Sequence, residues 1–218
     1  MSCNFKIKVK FIGFLLLLAV LGMVGVAFNS CKSTNTGYKR LTYDEGVVIN
    51  GIKWATRNVD EFGTFAQTPE SAGKFYQWNR KKAWNVIGNV IDWDTTISES
   101  DIWEKSNDPS PVGWHVPTIK EIETLFDDDK VSNERTTKNG INGRKFTDKA
   151  TGNSIFLPAV GGRNGSDSKL FYDGNTGWYW SSSPSNIHGA HGLGFGSDKA
   201  YWGGSSRSHG FSVRPVAD

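Results

Sequence analysis

Three of the protein's four histidines, His188, His191 and His209, fall in one segment, Ser185 to His209, together with five serines and six glycines. Imidazoles are common zinc ligands, and a structural zinc site closes on four tetrahedral donors. The segment has no cysteine, and Asp198 is its one carboxylate. The rings are scattered, so they read as exposed binding side chains and no metal is expected. Asp127-Asp128-Asp129 raises the question of calcium. A calcium loop alternates its oxygen ligands along the chain, whereas this run follows a predicted helix and reads as its solvated end. No cofactor is expected.

Catalytic patterns are missing in the same way. The chain has no Gly-x-Ser-x-Gly elbow, no His-Glu-x-x-His and no phosphate loop. Gly192-Leu193-Gly194-Phe195-Gly196 alternates with apolar residues and lacks the spacing of a pyrophosphate loop. Only two cysteines occur, Cys3 and Cys31, both N-terminal, so thiol chemistry and a disulfide framework in the folded part are excluded and no enzyme is expected. Charge removes nucleic acid. Lys6, Lys8 and Lys10 precede an apolar run and would leave with it, which reduces the 25 basic residues to 22 against 22 acidic ones. A neutral chain without a basic stripe lacks the counterion-release term that drives such binding.

Elements must position whatever the tail binds, and the N-terminus must deliver it. Three lysines, the apolar run from Phe11 to Phe28 and Asn29-Ser30-Cys31 read as an export signal. Cys31 stands where a bacterial lipoprotein signal places the residue that becomes the lipidated N-terminus. A signal-anchor helix is the alternative, since eighteen apolar residues just span a bilayer. The organisation expected is a signal peptide over 1–30, a polar tether over 31–44 and one domain over 45–218. The expected location is the cell envelope, at the outer membrane surface through an N-terminal lipid.

Within the domain, Asn50-Gly51 between two β-prone runs predicts a hairpin. Thr68-Pro69-Glu70 predicts a helix reaching about Trp78, and Thr118 with Glu121 a second one, with Ile119, Ile122, Leu125 and Phe126 on one face. Trp84, Trp93 and Trp103 anchor an irregular region between them. From Asn139 onward short strands and turns follow, the turns at Asn139-Gly140 and Asn142-Gly143. Two helices followed by many strands give an α+β class. In the tail, Leu193 and Phe195 alternate with Gly192, Gly194 and Gly196, which puts the apolar pair inward and the small residues outward.

Four motifs then appear in order: Gly113 to Thr118 (GWHVPT), Phe156 to Ala159 with Gly162-Arg163, Gly177 to Ser183 (GWYWSSS) and Gly210 to Val216 (GFSVRPV). In this the chain from Gly46 onward resembles the Fib_succ_major paralogous domain. The resemblance implies a C-type-lectin-like fold of the formylglycine-generating-enzyme type. The tail over 180–216 resembles the variable region of proteins diversified by retroelements, with Trp180 to Pro184, Ala190, Leu193, Phe195, Ser197, Arg207 and Gly210 to Val216 as the fixed frame. The implied function is binding of an external protein or glycan through a diversified face built from Ser185, Asn186, His188, His191, Asp198, Tyr201, Trp202, Ser205, Ser206, Ser208 and His209, with Tyr201 and Trp202 as anchors. A non-diversified adhesin or structural lipoprotein of the same family is the alternative, with a formylglycine-generating-enzyme-like enzyme behind it.

Overall fold

The computed structural model describes residues 41–218, which lie within a single unit spanning Asn35–Asp218. Cys31, the signal segment and most of the tether lie outside the described residues. Asp44, at the end of the expected tether, belongs to the fold. It is buried, and it accepts from the amides of Gly46 (2.8 Å) and Thr56 (3.0 Å) and pairs with Arg57 at 2.9 Å. Burial pulls its pKa upward, but those donors outweigh it and hold the carboxyl below its ordinary value.

The chain makes short antiparallel strands because its turn residues recur every few positions. Asn50 and Gly51 both take positive φ, 45° and 82°, as a two-residue hairpin turn requires. They join β1 (Val47–Ile49) to β2 (Ile52–Trp54). Asn139 and Gly140 do the same between β5 (Val131–Lys138) and β6 (Ile141–Asp148). The remaining strands are β3 (Tyr76–Gln77), β4 (Trp114–His115), β7 (Ser154–Pro158), β8 (Gly162–Arg163), β9 (Leu170–Phe171), β10 (Gly177–Pro184), β11 (Gly189–Phe195), β12 (Ala200–Ser206), β13 (Gly210–Phe211) and β14 (Val216–Ala217). They form four sheets, ordered β1-β2-β14-β4, β10-β11-β12, β3-β13-β8-β9 and β5-β6-β7.

This architecture corrects the α+β expectation: among the described residues the fold is all-β, with fourteen strands and one short helix. The helix α1 (Ile119–Glu123) carries the predicted capping box of Thr118 and Glu121, but runs only five residues before a 3-10 turn over Thr124–Phe126. The helix expected from Thr68 to Trp78 does not form. Phe75, Tyr76, Gln77 and Trp78 are all buried in succession, which a helix with one apolar stripe cannot do and a strand covered on both faces can. Gly73 prevents the helix as well: its φ is +71°, and a Cβ there would sit 2.1 Å from the Val59 carbonyl. Asn142-Gly143 is likewise not a turn. Both lie in β6, where Gly143 leaves room for the Phe156 ring.

The sheet β10-β11-β12 lies between two cores. Tyr179, Leu193 and Phe195 face one, with Trp54, Ile122, Leu125, Phe146 and Leu157. Trp180 and Ala190 face the other, with Trp78, Trp103, Phe211 and Val213. Of the apolar residues marked by periodicity on the second predicted helix, Ile122 and Leu125 are buried and Ile119 and Phe126 only half-buried. Trp84 and Trp93 meet at a tilt at 4.8 Å and Trp103 meets Trp78 edge-on at 5.6 Å, so indoles do pin the irregular region. Much of the remaining loop backbone is satisfied by buried arginines. Arg163 donates to the carbonyls of Asn85, Gly88 and Ser168, each at 2.7 Å, and Arg214 to those of Ala55 and Phe156 and to Asn58. Burial lowers the Arg214 guanidinium to about 10, so it stays charged at neutral pH.

Candidate functional site

The site begins at an irregularity in β10. Trp180 pairs with Gly192 but Pro184 pairs with Ala190, so extra residues bulge from β10. The Ser181 hydroxyl donates to the His191 carbonyl (2.8 Å), while Ser183 Oγ accepts from the Ile119 amide at the start of α1 (3.0 Å). The bulge thereby anchors the strand end and turns the chain into the loop 185–188. In that loop the Ser185 amide donates to the Gly189 carbonyl (3.0 Å) and the Asn186 side chain accepts from the His188 amide (2.9 Å).

Arg207 fixes the loop from below. Although almost fully buried, it forms no salt bridge among the described residues, Asp101 acting on it only as a nearby charge. Its fork donates to the carbonyls of Gly189 (3.0 Å), Asn186 (2.8 Å), Ser98 (2.8 Å) and Ser100 (2.7 Å), and its guanidinium lies 4.2 Å from the centre of the Trp78 ring. Planar five-donor geometry suits Arg, and not Lys, to binding several carbonyls at once. Two loops distant in sequence are thus held to one side chain.

Above Arg207 is a shallow pocket of about 340 Å³ lined by Ser185, Asn186, His188, Gly189, Gly204, Ser205 and Ser206. Five of the residues singled out from the sequence therefore converge: Ser185, Asn186, His188, Ser205 and Ser206. Hydroxyls, an amide and an imidazole line it, with no carboxylate. A larger cleft of about 520 Å³ beside Ile87 and Ile141 contains none of the tail residues.

The other predicted residues are placed elsewhere. Asp198 sits in the turn at the opposite end of the β11–β12 hairpin. Tyr201 pairs with Gly194 and Trp202 with Leu193, so the two aromatics point to opposite faces of the sheet rather than to one. Tyr201 leans on Trp178 at 5.7 Å and Trp202 meets His191 edge-on at 5.9 Å. Ser208 is buried, and His209 is half-buried and stacked on Phe211 at 5.6 Å. Burial lowers the pKa of His209, and a hydrogen bond to the Ser206 carbonyl only partly opposes it. Among the described residues no three His, Cys, Asp or Glu side chains converge as metal ligands.

Two of the three alternating glycines, Gly192 and Gly194, do not face solvent as a free surface, while Gly196 meets only the Thr176 methyl at 4.0 Å. Gly194 is buried, and a Cβ there would meet the Tyr201 ring at 2.8 Å. At Gly192 it would sit 2.5 Å from the Tyr179 carbonyl, which is backbone and cannot swing away. Gly203 differs, with nothing within 4 Å of an added Cβ. Periodicity separates two faces of a strand but does not tell a solvated face from one covered by aromatics, which is why the sequence misplaces these glycines. It also gives no binding role to Gly189 and Gly204, which floor the pocket, or to Arg207, whose only signal is its place in the frame motif.

What the geometry defines is an all-β domain presenting a polar pocket at the end of a hairpin. Residues 130–216 match the family model described as Domain of unknown function (DUF8237), which spans β5 to β14 and hence the whole pocket lining. No curated protein and no solved structure matches the chain.

Proposed function

We propose that the protein is a lipid-anchored cell-envelope protein that binds an external ligand through the pocket of Ser185, Asn186, His188, Ser205 and Ser206. The observation that carries this reading is the convergence of those side chains over a buried Arg207 that donates to the Asn186 and Gly189 carbonyls of the loop and to the Ser98 and Ser100 carbonyls of a second one. A rigid floor lowers the entropy lost on binding. The lining is polar with no carboxylate, which suits a hydroxyl-rich ligand such as a glycan better than a cationic one. Cys31 is the residue we assign to lipidation, and its replacement by Ala should release the protein from membranes.

Diversification of the tail belongs to the same proposal. Exposed Asn186, Ile187 and His188, together with Gly203 and Gly204, can change without disturbing the core. The genomic test is a near-copy of the codons for Trp180 to Val216, differing at adenines, beside a reverse transcriptase gene. The binding test is a screen of the purified full-length protein against glycan and surface-protein arrays. A ligand whose binding Ser205→Ala weakens supports the reading, and one bound equally by that variant contradicts it.

A further inference from the structure

The strand β12 is the outer strand of its sheet, paired with β11 on one side alone among the described residues. Its ladder phase follows from two hydrogen bonds at the ends of the hairpin. The Gly196 amide donates to the Lys199 carbonyl (3.1 Å) and the Arg207 amide to the His188 carbonyl (3.0 Å). Closely bonded pairs alternate with open ones in an antiparallel ladder, so Tyr201, Gly203 and Ser205 bond to β11. The backbone groups of Ala200, Trp202, Gly204 and Ser206 turn to the free side. There Ser206 gives its carbonyl to the His209 amide (3.0 Å), while those of Ala200, Trp202 and Gly204 meet no other group among the described residues.

Open edges are normally blunted by charge, proline or a bulge. Of the other long edge strands, β10 bridges to Ser212 through Tyr179 and ends in Pro184, and β5 carries Glu134, Arg135 and Lys138, while the shorter edge strand β7 ends in Pro158. In contrast β12 reads Ala-Tyr-Trp-Gly-Gly-Ser-Ser, with no charge, no proline and unbroken register. Such an edge adds a strand readily.

We propose that the occupant is a second copy of this chain, paired antiparallel through β12 about a two-fold axis at Gly203. Only registers that pair the outward-bonding residues with one another are allowed. The one centred on Gly203 sets Trp202 opposite Gly204, Tyr201 opposite Ser205 and Gly203 opposite itself, and leaves the Ser206 carbonyl with His209. Each aromatic then meets a small residue on its own face, and no like charges oppose. The strand is self-complementary in size, as an isologous interface demands. It joins two three-stranded sheets into one of six strands.

The paired strand shares Gly204, Ser205 and Ser206 with the pocket, but the two readings fail separately, since Ser205→Ala tests the ligand and charge at Gly203 tests the pairing. A strand pair with two aromatics is at the low end of interface size, so association should be weak. The test is sedimentation velocity of the full-length protein in detergent up to about 100 μM, well above the midpoint of a micromolar interface. The wild type should shift to dimer with concentration. Gly203→Lys and Gly203→Glu each place like charges across the axis and should stay monomeric with an unchanged thermal melt, because the side chain enters open space. An equimolar mixture of the two should dimerise, and Gly203→Ala should behave as wild type. A monomeric wild type, a Gly203→Lys dimer, or a mixture that stays monomeric would each overturn the proposal.

Discussion

Gly192 and Gly203 occupy the same hairpin, pair with each other across β11 and β12, and yet have opposite tolerance for a side chain. Gly192→Ala forces a methyl group against the Tyr179 carbonyl and should cost about 1 to 3 kcal/mol. Gly203→Ala should be neutral or slightly stabilising, because it removes unfolded-state freedom and meets no neighbour. Denaturant melts of the two variants decide whether the two paired glycines differ in this way. Arg207 is the other residue on which the site depends. Arg207→Met keeps the stem over Trp78 but leaves four carbonyls without their donor, so a loss of about 3 kcal/mol or more is expected, visible as a lowered melting midpoint. Arg207→Lys, a point donor, should recover only part of it.

Elements were legible where a local rule and the tertiary fold agree. Asn50-Gly51 and Asn139-Gly140 specify their hairpins by backbone conformation alone, and Thr118 with Glu121 caps α1 as its spacing requires. The stretch after Thr68 was illegible because its start signal is genuine while its continuation is decided by burial of consecutive aromatics on both sides. Tyr201 and Trp202 fail as a joint anchor for a simpler reason: adjacent strand residues cannot share a face. The pocket itself was partly legible, since the polar residues of Ser185 to His188 and Ser205-Ser206 were marked by type, but the bulge that joins them leaves no local signature. At the end of α1, His115 bridges Glu121 (3.2 Å) and Asp218 (3.0 Å). The Glu121 hydrogen bond, opposed by burial and assisted by Asp218, raises the imidazole from 6.5 to about 8. Because the folded value lies above the ordinary one, this stabilisation is complete below about pH 6.5 and is lost as pH rises through about 8. The melting midpoint should fall across that interval in the wild type, and a His115→Gln variant should lose that part of the dependence.

At the scale of the whole molecule, two cores sandwich β10-β11-β12, and the hairpin end that projects beyond them carries the pocket. Folding and binding therefore rest on different side chains. That separation makes the central claim open to one measurement. Replacing Asn186, His188 and Ser205 together by Ala removes polar groups at the pocket that serve no buried core contact, so the thermal melt should stay within about 1 kcal/mol of wild type. Titration with the ligand identified by the arrays should show affinity reduced about tenfold or more, a change of about 1.4 kcal/mol. Undiminished affinity in a folded triple variant would place the binding site elsewhere on the domain and contradict the account, and so would unfolding of the variant, which would make these residues structural.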